Sequence, residues 1–278
     1  MKKFLSMMMA LAMLVACCTC AVGSAKADAG VITKVALVTD VGTIDDESFN
    51  QACWQGVEAW CKANNIEYTY YQPTEDSTDA RVLSVAQAVN EGANVVVMPG
   101  YLFGTTVLTV QDEFPDVYFI AVDVAAGDLT FDYSTYYEPS ANVACMTFSE
   151  EQAGFLAGYA AVTDGYTQLG FIGAEEIPGV VRYVTGFLQG AEYAAEQQGL
   201  TVDLRTWFAG TYSASDDTTN RMLDWCNNGT TLLFVNGGNL IASAIDAAKE
   251  TTSGNEVRVM ASDYDQNDSS DLILGSAI

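Results

Sequence analysis

The layout of residues 34–122, short apolar runs separated by amphipathic stretches, is written a second time after about residue 165, and this repetition limits the fold more than any single motif. The runs fall at 35–39, 68–72, 94–98 and 117–122, then again at 168–172, 202–208, 231–235 and 257–261. Runs of this length alternating with helical stretches predict a parallel sheet with helices on its faces. In the first helix, Phe49, Ala52, Cys53, Gly56, Val57, Trp60 and Cys61 recur at helical spacing and define the expected inward face. The two copies stay in register: Gln55-Gly56 matches Gln189-Gly190 at an offset of 134, Gly100 matches Gly237 at 137, and Asp123 matches Asp263 at 140. A slowly drifting offset predicts two homologous α/β lobes, and a length of 278 residues with 50% hydrophobic content suffices for two cores.

Ligands of open parallel sheets bind beyond the carboxyl ends of the strands, so two facing lobes predict a cleft there. The residues at those ends are Asp40, Gly100, Tyr101, Asp123, Gly173, Tyr212, Asn236, Gly237, Gly238 and Asp263, with acids and aromatics but no lysine or arginine among them. Carboxylates accept hydrogen bonds and repel phosphate, so the expected ligand is neutral or cationic and rich in donors, as a polyhydroxylated ring is. Asp123 and Asp263 each end an apolar strand at the matching point of their lobes, and both are expected to contact ligand. For Asp45, Asp46 and Ser48 two readings stand side by side, capping of the first helix or ligand contact. Phe49 likewise either begins the apolar stripe or turns its ring onto a flat ligand. The loop Asn236-Gly237-Gly238-Asn239 allows close backbone approach, yet no G-x-G-x-x-G or G-K-[ST] occurs, which argues against a nucleotide phosphate site. Asp45-Asp46 and Asp216-Asp217 could be glycosidase carboxylates, but both pairs precede helices and read better as solvated caps.

The chain contains no histidine, which removes Ser-His-Asp and Cys-His centres and histidine-ligated metals. Eleven basic residues against 36 acidic ones give a net charge of -25, which repels nucleic acid. Cys53, Cys61, Cys145 and Cys226 lie in the body without a C-x-x-C pair and are expected to be small core residues. No metal and no cofactor is expected.

Lys2-Lys3 followed by an apolar run over residues 4–16 predicts an export signal, too short to span a bilayer comfortably. The run ends Leu14-Val15-Ala16-Cys17, which resembles the bacterial lipoprotein signal, with Cys17 as the lipidated residue. The competing site is Ala25-Lys26-Ala27, an A-x-A sequence that would release a soluble chain beginning near Asp28. The expected segments are a signal at 1–16, a tether at 17–33, an amino-terminal lobe at 34–146, a carboxyl-terminal lobe at 147–266 and the start of a return crossover at 267–278. Hinge closure is expected about crossovers near 144–150 and 265–270.

Several motifs together resemble the basic membrane lipoprotein family, the substrate-binding lipoproteins of ABC importers that include the purine nucleoside receptor of spirochaetes. They are Val38-Thr39-Asp40 leading to Asp45-Asp46-Glu47-Ser48-Phe49-Asn50, Phe148 with Gly154-Phe155-Leu156-Ala157-Gly158-Tyr159, Gly186-Phe187 with Gly190, and Asp263-Tyr264-Asp265-Gln266. The resemblance runs from about Lys34 to the last residue and implies a type I periplasmic-binding-protein fold that closes on a purine nucleoside. It implies stacking of the base by Phe49 and Tyr212, and contacts to polar groups of the nucleoside by Asp40, Asp123 and Asp263, with Asn50 and Gly238 alongside. It further implies a monomeric, non-enzymatic receptor on the extracytoplasmic face of the cell membrane, held by its lipid and delivering ligand to a permease. A receptor for a sugar or another hydroxylated molecule is the alternative within the fold. A carboxylate-dependent nucleosidase or glycosidase using Asp40, Asp45 and Asp46 is the alternative outside it. The sequence departs from the family at Tyr212, where Phe is usual, at Ser213-Ala214, where an Asp is usual, and at Asn236, where the glycine-rich segment normally starts with Ala. A ligand-binding lysine of the family is expected beyond Ile278, so the sequence is read as truncated at its carboxyl end.

Overall fold

Five parallel strands form the first sheet: β1 (Lys34–Val38), β2 (Glu67–Tyr71), β3 (Val95–Pro99), β4 (Tyr118–Val122) and β5 (Val143–Met146), in the order β2-β1-β3-β4-β5. Helices α1 (Phe49–Asn64), α2 (Thr78–Asn90) and α3 (Gly104–Glu113) connect the first four strands. Helix α4 (Glu150–Thr163) follows β5 and leads into a second sheet of β6 (Gln168–Gly173), β7 (Asp203–Phe208), β8 (Leu232–Asn236), β9 (Arg258–Ser262) and β10 (Ile273–Ala277). Its connecting helices are α5 (Pro178–Gln198), α6 (Asp216–Asn227) and α7 (Leu240–Glu250), and its order is β10-β9-β8-β6-β7. With β6 to β10 set against β1 to β5, the two orders are the same. This computed structural model describes residues 30–278 except Glu47 and Tyr133, so the expected signal, Cys17, the alternative site at Ala27 and most of the tether lie outside the described residues. From Ile32 to Ile278 the chain is one compact unit.

The central strands explain the parallel arrangement. Val95 to Pro99 and Leu232 to Asn236 are buried throughout, and Ala36, Leu37 and Val38 of β1 are inaccessible, so these strands need cover on both faces. Helices supply it, giving each sheet a core on either side. In the first lobe Phe103, Val107, Val110, Phe119 and Leu129 fill one face, while Cys61, Val35, Leu37 and Val97 pack on the other. In the second lobe Trp225, Met222 and Ile245 lie on one side of the sheet and Phe171, Phe187 and Phe234 on the other. Cys61 and Cys226 are buried, Cys53 and Cys145 half-buried, and all four are free thiols. Among the described residues no helix is long and apolar enough to cross a membrane.

Three details differ from the sequence reading. Residues 143–146 and 273–277 are strands that periodicity did not reveal, and each lies at an edge of its sheet. The stretch 265–270 is therefore no crossover between lobes: it joins β9 to β10 within one sheet, and residues 273–277 belong to that sheet and not to a return path. Among the described residues the passage between sheets is made at 147–149. The inward face of α1 is also rotated from the expected one. Phe49, Cys53, Trp54, Val57 and Cys61 pack on the sheet, whereas Gly56 is exposed and Trp60 is 47% exposed. Trp54, left off the expected stripe, lies against Tyr68 and Tyr70 of β2 at 5.6 and 5.4 Å.

Candidate functional site

The carboxyl ends of both sheets open onto one cavity of about 820 Å³, lined from the first lobe by Asp40, Phe49, Asn50 and Asp123 and from the second by Tyr212, Gly238 and Asp263. Every residue singled out for ligand contact thus borders the same space. That volume suits a small organic ligand.

The first wall is built where β1 runs into α1. Asp40 Oδ1 accepts hydrogen bonds from the amides of Val41 at 2.7 Å and Gly42 at 3.1 Å and from Asn50 Nδ2 at 3.0 Å. Asn50 Nδ2 also reaches Asp46 Oδ2 at 3.1 Å, so the amide is clamped between two carboxylates. Asp46 Oδ1 in turn accepts from the amides of Ser48 at 2.9 Å and Gln51 at 3.1 Å, and the Ser48 side chain makes no cap. Of Asp45, Asp46 and Ser48, Asp46 is the one whose side chain takes the amides at the start of the helix. Asp45 is exposed at the cavity rim. Asp216 and Asp217 stand exposed in the first turn of α6, behind a Ser215 cap. Gly100, at φ 119°, lets the β3 loop close on Asp40, since a Cβ there would lie 2.4 Å from Asp40 Oδ2.

Phe49 packs at the start of the apolar stripe and also borders the cavity. Its ring is partly buried against the core and meets Phe148 edge-on at 6.4 Å and 89°. Phe148 is 51% exposed. Tyr212 comes from the loop between β7 and α6, packs partly on the second-lobe core and faces the cavity. Gly238 is tight against it: a Cβ would lie 3.2 Å from the Tyr212 carbonyl oxygen.

Asp123 and Asp263 are two of three non-glycine residues with positive φ among the described residues, at 59° and 67°. Aspartate tolerates this left-handed geometry better than most residues, and it turns each side chain off its strand end. Their partners differ. Asp263 Oδ2 accepts from Ser262 Oγ at 3.0 Å and Asn236 Nδ2 at 3.2 Å, and its amide donates to the Ala277 carbonyl at 3.0 Å. Asp123 Oδ1 instead receives Nη2 of Arg182, on α5 of the other lobe, at 3.3 Å. Arg182 is also held by Glu150, Nε to Oε2 at 2.5 Å and Nη2 to Oε1 at 3.1 Å.

Burial pushes the Asp263 carboxyl up to about 6, although the Ser262 and Tyr183 hydroxyls pull the other way. Burial also raises Asp40, while the Gly42 amide, Asn50 and the Val41 amide oppose the rise. Asp123 is raised by burial and then by the neighbouring Glu150 carboxylate, with Arg182 opposing. The Cys53 thiol, beneath this group, is pushed up to about 12, first by burial and then by Asp40, Asp46, Asp263 and Asp123. The cavity is therefore a place where carboxyl groups are crowded. The buried Oδ1 atoms of Asn50 and Asn236 add two acceptors without a donor.

Sequence reasoning missed Arg182 and Glu150. The strand ends carry no base, but the helix behind one of them does: Arg182 is the one lysine or arginine of α5 and lies one turn into it. Asn236, placed at a strand end by the sequence but given no role there, joins Asp263 and Ser262, donating to Ser262 Oγ at 2.6 Å.

The family described as "ABC transporter substrate-binding protein PnrA-like" (Bmp) matches residues 32–278. An ABC transporter nucleoside-binding protein BmpA of Lactococcus lactis subsp. cremoris is 28% identical over 185 residues, 65% of this chain and 48% of that protein. Basic membrane protein A1 of Borrelia garinii subsp. bavariensis is 26% identical over 228 residues, 81% of this chain and 63% of that protein. The chain thus spans about half to two thirds of the length of these curated relatives. A solute-binding protein of an ABC transporter system from Aeropyrum pernix K1 superposes with a TM-score of 0.75 at 19% identity, covering 88% of this chain and 66% of that chain. That likeness establishes the fold, that of solute-binding proteins with two parallel-sheet lobes.

Proposed function

This chain belongs to the Bmp family of PnrA-like ABC transporter substrate-binding proteins, and from that premise we propose that it captures a purine nucleoside between its lobes and delivers it to a membrane permease. The observation that carries the reading is the convergence of two aromatic side chains, Phe49 and Tyr212, with the acceptors Asp40, Asp123 and Asp263 around one cavity of about 820 Å³. Aromatic walls suit a flat base. Carboxylates suit ribose hydroxyls and ring N–H or amino groups, and they disfavour a phosphate. Gly238 lets backbone come close to the ligand edge. The name of the Lactococcus relative, a nucleoside-binding protein, points the same way.

The chain acts as an exported receptor, anchored to the extracytoplasmic face of the membrane through a lipid on Cys17, and works as a monomer without a chemical step. The lipoprotein-like sequence Leu14-Val15-Ala16-Cys17 supports the anchor. Mass spectrometry of the mature amino terminus tests it: a diacylglyceryl mass on Cys17 is expected, and an unmodified terminus at Asp28 would refute it.

The test of the ligand is a thermal-shift series with inosine, guanosine, adenosine, ribose and nucleoside monophosphates. A ligand at about 100 times its dissociation constant adds about 2.7 kcal/mol to the folded state. Shifts with nucleosides and none with ribose or monophosphates are expected. Phe49→Ala and Tyr212→Ala should each weaken guanosine roughly tenfold or more, given about 1–3 kcal/mol per stacked base. A response to sugars alone would retain the fold and discard the nucleoside.

A further inference from the structure

The lobes also meet directly, at a contact made by one of the acids that border the cavity. Asp123, at the end of β4 in the first lobe, sets Oδ1 3.3 Å from Nη2 of Arg182 in the second. The guanidinium is not free to wander, because Glu150 grips it through Nε at 2.5 Å and Nη2 at 3.1 Å. That grip is fixed by the packing of α4 on α5. A Cβ on Gly154 would lie 2.3 Å from the Tyr183 carbonyl oxygen, and one on Gly186 would lie 2.1 Å from that of Glu151. Larger residues at either place would drive the helices apart and separate Glu150 from Arg182.

Gly179 completes the contact. A Cβ there would stand 3.1 Å from Asp123 Oδ2, so the bare glycine lets the carboxylate of one lobe settle on the first turn of α5 in the other. Asp123 thus meets Arg182 through Oδ1, with Oδ2 turned toward Gly179. The Asp123 side chain is 15% exposed, Glu150 6% and Arg182 33%, so the ion pair is partly shielded from solvent. Two carboxylates share one guanidinium, which leaves a net negative charge in the cluster.

We propose that Asp123 is the catch of an inter-lobe latch, with the Arg182–Glu150 pair and the bare Gly179 as its keeper, which favours the closed cleft independently of any ligand that bridges it. The idea rests on reading the cleft as a solute-binding site. Arg182 is a positioning residue: the cavity wall beside it is made by Gly179, Val180 and Tyr183, and Arg182 acts on affinity through the balance between open and closed forms. Its loss should show mainly in faster ligand release.

Small-angle X-ray scattering of the ligand-free protein, paired with guanosine titration, tests the latch. The double variant Arg182→Met/Glu150→Gln removes the cation together with one of its two carboxylates, so that Asp123 alone loses its partner. Gly179→Ala changes no charge and acts by bulk alone, and Arg182→Lys restores a cation. The double variant should increase the radius of gyration of the folded, ligand-free protein and weaken guanosine about tenfold, Gly179→Ala should move both in the same direction by less, and Arg182→Lys should keep most of the compactness. A purely structural role would lower the unfolding temperature without opening the folded protein. Scattering of the folded double variant that matches wild type overturns the proposal. If no protein binds guanosine yet the variants still open, the latch stands and the nucleoside reading fails; if wild type binds and the variants match it in both measurements, the reverse holds.

Discussion

The two lobes repeat one another in backbone and differ in what surrounds the repeat. Gly100 and Gly237 follow β3 and β8 with φ of 119° and 143°, Asp123 and Asp263 follow β4 and β9 with φ of 59° and 67°, and Asn65 and Gly199 end α1 and α5 with φ of 55° and 68°. The environments then part. Asp263 is held by residues of its own lobe, Ser262 and Asn236, and so keeps its place whether the cleft is open or shut. Asp123 is held across the cleft by Arg182. Similarly α5 is covered by α4, whereas no described helix covers the corresponding surface of α1. A duplicated framework therefore supplies one fixed acid and one whose setting depends on closure, at matching positions.

The largest effect should come from the Gln-Gly pair in the first helix of each lobe. A Cβ on Gly190 would lie 1.9 Å from the Phe155 carbonyl oxygen, and backbone cannot yield as a side-chain tip can. Gly190→Ala is expected to cost at least about 3 kcal/mol, the upper part of the overpacking range. Gly56→Ala, at the same register, meets nothing within 4 Å and should gain roughly 0.5–1 kcal/mol by helix propensity. Urea denaturation of both variants checks the pair, and equal effects would mean that the lobes are covered alike.

That pair also shows what could be read from residues alone. The register of the repeat, the parallel sheets and the cavity acids were legible because strand ends carry Asp and Gly in matching places, and left-handed geometry restricts which residues can stand there. The inward face of α1 was less so. Gly56 and Trp60 fit a helical stripe by spacing, but a stripe says which residues share a face only to within about a turn, and the sheet selected Trp54 instead. Strands β5 and β10 escaped because β5 is only four residues long and β10 has Gly275-Ser276 where a strand usually carries β-branched or aromatic residues. Arg182 escaped for another reason: its role arises from two lobes meeting, and spacing within one lobe contains no trace of that.

Next in size is the pH dependence of the fixed acid. Burial raises Asp263 from 3.8 to about 6, so the folded state holds a proton that the unfolded state gives up. Stability from this group is fully present below about pH 4 and is lost as pH rises through about 6. Asp263→Asn removes the titration. Relative to wild type, the variant should become more stable by on the order of 2 kcal/mol between pH 4 and pH 7, measured by urea midpoints across that range. A constant difference between the two proteins would show that Asp263 titrates as an ordinary carboxylate.

The smallest effect belongs to the helix ends. Asn65 and Gly199 adopt nearly the same conformation, at φ 55°, ψ 41° and φ 68°, ψ 30°, and each amide returns to the last turn of its helix. Glycine reaches this geometry without a Cβ penalty but loses more chain entropy on folding, and asparagine tolerates it best among the other residues. The two terms nearly cancel. Asn65→Gly should therefore stabilise by no more than about 0.5 kcal/mol, and Gly199→Asn should cost about as much. Both caps precede the start of a strand, at the end of the sheet away from the cavity, so guanosine affinity should be unchanged in either variant. If Gly199→Asn instead weakened binding, the second lobe would be transmitting strain from its far end to Tyr212 or Gly238, and the two lobes would be less alike mechanically than their backbones are.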